Sequence, residues 1–292
     1  MVKHPASPVS RMEQLLLLCH LKKVRDNILK EFAGKIRAMD IVRNSVEFLV
    51  LGSSHAQLGW IANDREFNLG MAYQDLHCTY HLYRRYADSP ALKSVIVFFS
   101  VFSYGSRLIM TGDARICAAF KVAAGVDWED ADIAKALHLD RLCRPYRRKV
   151  GSFLSSHRPK EGDRGNIRGY VPSFTCTAEE RASAHYKNSD REIDMLRFLA
   201  QLVDDAESRG QSVYVVIPPA PYEYRRAIPS GEEIFRRLKN EASRWRNVAL
   251  FDHYEDARFD LRDFLDWDHL SSDGAAKLTE IVRKEMKDGK VC

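Results

Sequence analysis

Short apolar runs that start and stop abruptly recur along this chain, with helical stretches between them. VEFLVL at Val46–Leu51, SVIVFFSV at Ser94–Val101, SVYVVI at Ser212–Ile217 and VALF at Val248–Phe251 are rich in β-branched and aromatic residues. Such side chains suit the pleated, packed surface of a sheet. SVIVFFSV shows no polar alternation, which fits a strand covered on both faces at the centre of a parallel sheet. Glu66–Leu69 is a further, brief extended piece. Helical spacing marks Arg11–Ala38, with Leu15, Leu18, Val24, Ile28 and Phe32 as its buried stripe. It also marks Met71–Tyr86, Glu179–Arg209, Gly231–Arg246 and Ser272–Lys287, and Gly210 suits a helix C-cap. Strands alternating with helices predict an α/β fold, a parallel sheet covered on both faces.

One region breaks the rhythm. Residues 107–172 carry no strand signal; Ala118–Ala124 and Ala131–Leu142 read as helices, and Arg144–Gly169 reads as a basic loop. A loop of that length inside a compact domain is usually functional or disordered. The chain therefore divides into an N-terminal helical segment (1–45), a first part of the α/β domain (46–106), an insertion or lid (107–172) and a second part (173–292).

Composition narrows the class. The 292 residues are 45% hydrophobic and 29% charged, enough to bury a sizeable core. A net charge of +5 without a dense basic tract argues against nucleic acid as a partner. Six cysteines are scattered without a CxxC pair, so they read as reduced thiols of a cytoplasmic protein. The apolar run at Leu15–Cys19 is too short to span a bilayer and no signal-type cleavage site follows it. The basic helix around it leaves membrane-surface association open.

Two local patterns carry chemistry. FLVLGSSHAQLG, Phe48–Gly59, ends a strand on Gly-Ser-Ser-His. A strand-to-helix turn alone would explain the glycine and the capping serine. The same turn also presents a hydroxyl at the carboxyl end of a strand, where open α/β sheets bind ligands. Near the other end, DWDHLSSDG sets Asp266 three residues before His269, with Ser272 or Asp273 as a cap for the next helix. A catalytic histidine needs one nitrogen free for a proton and the other tied to an acid, and this spacing allows both.

With these motifs in view, the chain resembles the SGNH (GDSL-like) hydrolase superfamily of esterases, lipases and carbohydrate O-acyl enzymes. The resemblance runs from Val46 to Val282 and implies a three-layer α/β/α, flavodoxin-like sandwich. It implies Ser54 as nucleophile, Asp266 as acid and His269 as base. Phe67-Asn68-Leu69-Gly70 is similar to the second block, which implies the amides of Gly70 and Ser54 as oxyanion-hole donors. The GSS variant resembles members that modify polysaccharides and cell walls. The third block, usually Gly-x-Asn-Asp, is absent; SVFSYGS stands there, leaving Ser100, Ser103 or Tyr104 as hydroxyl donors.

Other residues bear on substrate. Ser53 and His55 flank the nucleophile; His55 is either a substrate contact or a turn residue. Arg144, Arg147, Arg148, Lys149 and Arg158 are either a solvated face or a guide for an anionic substrate. Tyr222, Tyr224 and Arg225 follow the Pro218-Pro219 turn and are available to a sugar. HCTYH places His77 and His81 four apart without the glutamate of HExxH, so no metal is expected. The absence of GxGxxG and Walker loops disfavours dinucleotide binding and nucleotide hydrolysis. The expectation is a cytoplasmic serine esterase or O-acyltransferase acting on an acyl ester of a carbohydrate, as in capsule or lipopolysaccharide biosynthesis. No tightly bound cofactor is expected, and acyl-CoA is the candidate donor. The alternative is a catalytically degenerate binding or assembly protein on the same fold.

Overall fold

The structure is a computed structural model that describes residues 30–111, 113–129, 131–143, 147, 163–167, 172–187, 194–228 and 231–289. Helix α1 (30–42) leads into strand β1 (Phe48–Leu51), and α2 (Ser54–Gly59) follows at once. Then come β2 (Glu66–Asn68), α3 (Leu76–Tyr86) and β3 (Ser94–Phe98). The insertion contributes α4 (Ala114–Ala124), α5 (Ala131–Ala136) and α6 (139–143). The second part supplies α7 (Ala178–Lys187), α8 (Leu196–Ser208), β4 (Ser212–Ile217), α9 (Tyr222–Ala227), α10 (Gly231–Ala242), β5 (Val248–Asp252) and α11 (Ser272–Asp288).

The five strands form one parallel sheet in the order β2-β1-β3-β4-β5. Alternate side chains of each strand feed two separate cores, as the period of two requires. Leu49, Leu51, Val95, Val97, Val213 and Val215 face a core shared with Phe32 of α1, Leu82 of α3, Leu202 of α8 and Leu238 of α10. Val50, Ile96, Phe98 and Val216 face the other, closed by Ala56 of α2 and by Leu278 and Val282 of α11. The result is a three-layer α/β/α fold. Burying each such aliphatic side chain contributes roughly 1.5–3 kcal/mol before conformational entropy is counted.

This strand order has a switch point. The chain leaves β1 for β2 on one side, then returns to β3 on the other. The crevice at the carboxyl ends of β1 and β3 is where such sheets take ligands.

Several boundaries differ from expectation. The span Glu179–Arg209 holds two helices, α7 and α8, rather than one. Helix α3 begins at Leu76 because Asp75 caps it, its carboxylate accepting from the Cys78 amide at 2.7 Å. The described parts of the insertion pack in two places. Helix α4 packs on α1 and α3, with the Phe32 and Phe120 rings 4.6 Å apart. Residues 163–167 run along the β2 edge, where Arg164 O accepts from Asn68 N at 2.8 Å. The segment after the insertion reaches the crevice: Ser173 N donates to Leu265 O at 2.7 Å. The N-terminal part of the expected Arg11–Ala38 helix lies outside the described residues.

Candidate active site

The turn after β1 is built for close approach. Gly52 has φ +137°, and a Cβ there would stand 3.0 Å from the Phe98 carbonyl on β3. Only glycine accepts both conditions without strain. Ser53 is the N-cap of α2, its hydroxyl accepting from the His55 amide at 3.4 Å. Ser54 is therefore the first helical residue, half-buried at the mouth of the crevice.

The histidine arrives on a loop ordered by its own aspartate. Asp266 Oδ1 accepts from the amides of Asp268 at 3.0 Å and His269 at 2.9 Å. A backbone bond from Leu265 N to His269 O at 2.8 Å closes the loop. Ser271, one residue before the expected cap, caps α11 through the Gly274 amide, which keeps the loop short. His269 Nδ1 then lies 2.9 Å from Asp266 Oδ2, and His269 Nε2 lies 2.7 Å from Ser54 Oγ. A serine hydroxyl, an imidazole and a carboxylate stand in a row.

The electrostatics suit a base. Burial opposes charge on His269, but Asp268 and the bond to Asp266 outweigh it, so its pKa is raised above the ordinary value. Burial would raise the Asp266 carboxyl, yet its bond to His269 and the amides it accepts hold it well below the usual carboxylate range. Asp266 therefore stays ionised beside an imidazole that readily takes a proton.

The remaining expected residues divide. The Gly70 amide is already committed, donating to Asn68 Oδ1 at 3.0 Å, while its carbonyl accepts from the buried Lys35 Nζ at 2.7 Å. The expected oxyanion role of Gly70 is thus not met in this arrangement. Its missing side chain serves packing: a Cβ there would come within 2.6 Å of Ala56 Cβ and Gln57 N. Ser103 and Ser100 are buried and share a bond of 3.1 Å, and the Ser100 amide donates to Ser103 Oγ at 3.0 Å. Tyr104 is buried under the Arg237 guanidinium at 4.4 Å, on the other core's side of β3 rather than at Ser54. Tyr222 is exposed, with Arg225 and Arg226 against its ring, and Arg225 pairs with Glu255 at 3.3 Å. Tyr224 is the tyrosine of α9 that turns inward, its hydroxyl 2.6 Å from His185 Nδ1. Arg147 is exposed; Arg144, Arg148, Lys149 and Arg158 lie outside the described residues.

His55 is brought to the site, its ring centroid 5.0 Å from that of His269. Ser53 Oγ lies 3.3 Å from His55 Nδ1. Three residues that the sequence reading missed complete the wall. Asp268 is almost wholly buried; Arg181 Nε donates to its Oδ1 at 2.7 Å, and His185 Nε2 lies 3.6 Å from its Oδ2. Arg181 and His185 are four apart on α7, one helical face, which was the only available signal.

Two groups could hold a metal on residue type. His55, Asp268 and His269 bring ligand atoms within 4.8 Å of one another. A cation there would displace bonds these groups already make to Ser54, Asp266 and Arg181. His77 Nε2 and His81 Nε2 are 3.2 Å apart, but among the described residues no third ligand joins them. The His77 ring packs against Trp128 and Phe198, and burial pushes its pKa down to about 3.

No family model matches the chain, and no curated protein does. A solved structure from Streptococcus pneumonia, provisionally described as a platelet activating factor, is similar over 94% of this chain and 99% of its own. Its identity is 12% and its TM-score 0.47, so it is a distant likeness in overall shape.

Proposed function

We propose that this protein is an SGNH-like serine esterase or O-acyltransferase. The observation that carries the reading is the Ser54–His269–Asp266 row, with contacts of 2.7 and 2.9 Å, at the switch point of a parallel sheet. Ser54 Oγ attacks an acyl carbonyl while His269 Nε2 takes its proton. The imidazolium is stabilised by Asp266 and then protonates the departing oxygen or sulfur. In the second half, His269 deprotonates water or an acceptor hydroxyl, which releases the acyl group from Ser54. The acyl ester of a carbohydrate is the proposed substrate, with acyl-CoA as donor if the step is transfer. Among the described residues no helix is long and apolar enough to cross a membrane. That accords with the proposal of a cytoplasmic enzyme in polysaccharide assembly.

A second reading has its own support. The Gly70 amide is occupied, and a serine pair stands where the third-block asparagine would be. These features favour a binding or assembly protein that keeps the fold with a weakened oxyanion hole. Treatment with a fluorophosphonate, followed by peptide mass spectrometry, separates the two. Stoichiometric labelling of Ser54 supports the enzyme; an unlabelled, folded protein supports the binding module.

A further inference from the structure

Beside the Ser54–His269–Asp266 row lies a second polar network centred on Asp268. Four elements meet there: α2 brings His55, α7 brings Arg181 and His185, α9 brings Tyr224, and the loop before α11 brings Asp266, Asp268 and His269. Asp268 Oδ1 accepts from Arg181 Nε at 2.7 Å and stands 3.5 Å from His269 Nδ1. Arg181 Nη2 is also 3.5 Å from that nitrogen. Asp268 Oδ2 is buried without a hydrogen-bond partner, facing His55 Nε2 at 3.5 Å and His185 Nε2 at 3.6 Å.

Both outer imidazoles are anchored at the far nitrogen, His55 by Ser53 Oγ at 3.3 Å and His185 by Tyr224 Oη at 2.6 Å. Burial lowers their pKa values to about 3 and about 4, so both are neutral and each carries one N–H. A hydroxyl can donate to each Nδ1, which leaves the Nε2–H of each aimed at Asp268 Oδ2. At 3.5 and 3.6 Å these contacts are longer than a good hydrogen bond. The other oxygen, Oδ1, faces Arg181 and the His269 ring.

We propose that Asp268 is a second positioning carboxylate for the His269 imidazole, held by Arg181 and walled by the His55 and His185 rings. The inference rests on reading Ser54, His269 and Asp266 as an acyl-transfer triad. When His269 takes the serine proton, its cation lies between two aspartates, with Arg181 limiting the attraction.

The test reads His269 directly. The protein is labelled with 15N-histidine and titrated by NMR, as wild type, Asp268→Asn, Arg181→Met and Arg181→Lys. The His269 pKa should fall in Asp268→Asn, rise in Arg181→Met and return toward wild type in Arg181→Lys. With p-nitrophenyl acetate as probe, Asp268→Asn should lower kcat about tenfold or more with KM within about twofold. Its acid limb should move to lower pH. A folded Asp268→Asn protein with the His269 pKa unmoved overturns the proposal, as does a change in KM alone. If Asp268→Asn fails to fold, an unmoved His269 pKa in Arg181→Met overturns it. A shifted pKa in a protein whose wild type never turns over an acyl ester leaves the Asp268 assignment standing and removes the triad reading.

Discussion

His269 Nε2 sits 2.7 Å from Ser54 Oγ across 215 residues of chain. Two local turns, one after β1 and one before α11, set that distance, and the sheet supplies the rest. If the pair is catalytic, Ser54→Ala should lower esterase activity by about a thousandfold or more. Ser53→Ala should do far less to turnover. It removes the N-cap of α2, so its expected cost is about 1 kcal/mol of stability. Rates with p-nitrophenyl acetate and urea unfolding of both variants check this. An inactive Ser53→Ala beside an active Ser54→Ala would shift the nucleophile by one residue.

The pH dependence follows from His269. A general base works only when neutral, so activity falls as pH drops through its pKa. Burial opposes the cation, but Asp268 and Asp266 together raise that pKa above the ordinary histidine value of 6.5. The acid limb of kcat/KM is therefore expected above pH 6.5 in the wild type. Asp266→Asn should move it to lower pH and reduce kcat by about a thousandfold or more, since the ring also loses its orienting acid. A limb below 6.5 in the wild-type pH–rate profile would contradict the assignment.

Much of this arrangement was readable in the chain, for local reasons. SVIVFFSV has no polar face, so it had to be a covered strand, and β3 is central. Ser54 and the Asp266–His269 pair announced themselves because each depends on residues within a few positions. Asp268 did not, although it is adjacent to His269: two aspartates flanked Trp267, and only the loop's fold decides that Asp266 takes the ring nitrogen at close range. Arg181 and His185 were hidden further, since α7 is polar in sequence and looks like a solvated helix. Its partner is a loop more than eighty residues away, and helical spacing says nothing about that. Gly70 fits the family pattern in sequence, and the use of its amide by the Asn68 side chain two residues earlier is a local turn contact that the pattern did not disclose.

The packing of Gly70 makes a stability prediction. A methyl group there would lie 2.6 Å from both Ala56 Cβ and Gln57 N, and the second of these is backbone. Nothing at the far end of a flexible chain can move aside. Overpacking of this kind costs about 1–3 kcal/mol. Gly70→Ala should lose that amount in urea unfolding and should also displace α2, so its activity should fall with its stability. A variant as stable as wild type would mean that the loop after β2 is free to retreat from the nucleophile helix.

Lys35 gives the last prediction, in pH rather than in packing. It is fully buried on α1, bonded to the Gly70 carbonyl, and burial lowers its pKa from 10.5 to about 8 against the pull of Glu31 and Asp163. The folded state therefore sheds this proton near pH 8, while the unfolded chain keeps it until about 10.5. Between those values the unfolded state binds more protons, so the Lys35 contribution makes stability rise with pH. Below pH 8 the lysine is charged in both states and the full burial penalty is present. The span corresponds to about 3 kcal/mol at about 1.4 kcal/mol per pH unit. Buried tyrosines such as Tyr86, whose pKa burial pushes well above the ordinary value, work in the opposite direction above pH 10. The clean readout is thus the difference between wild type and Lys35→Met, followed by urea unfolding from pH 7 to 10. Wild type should gain on the variant as pH rises past 8. A constant difference across that range would show that Lys35 keeps its ordinary pKa and that its contact with Gly70 is made by a fully charged amine.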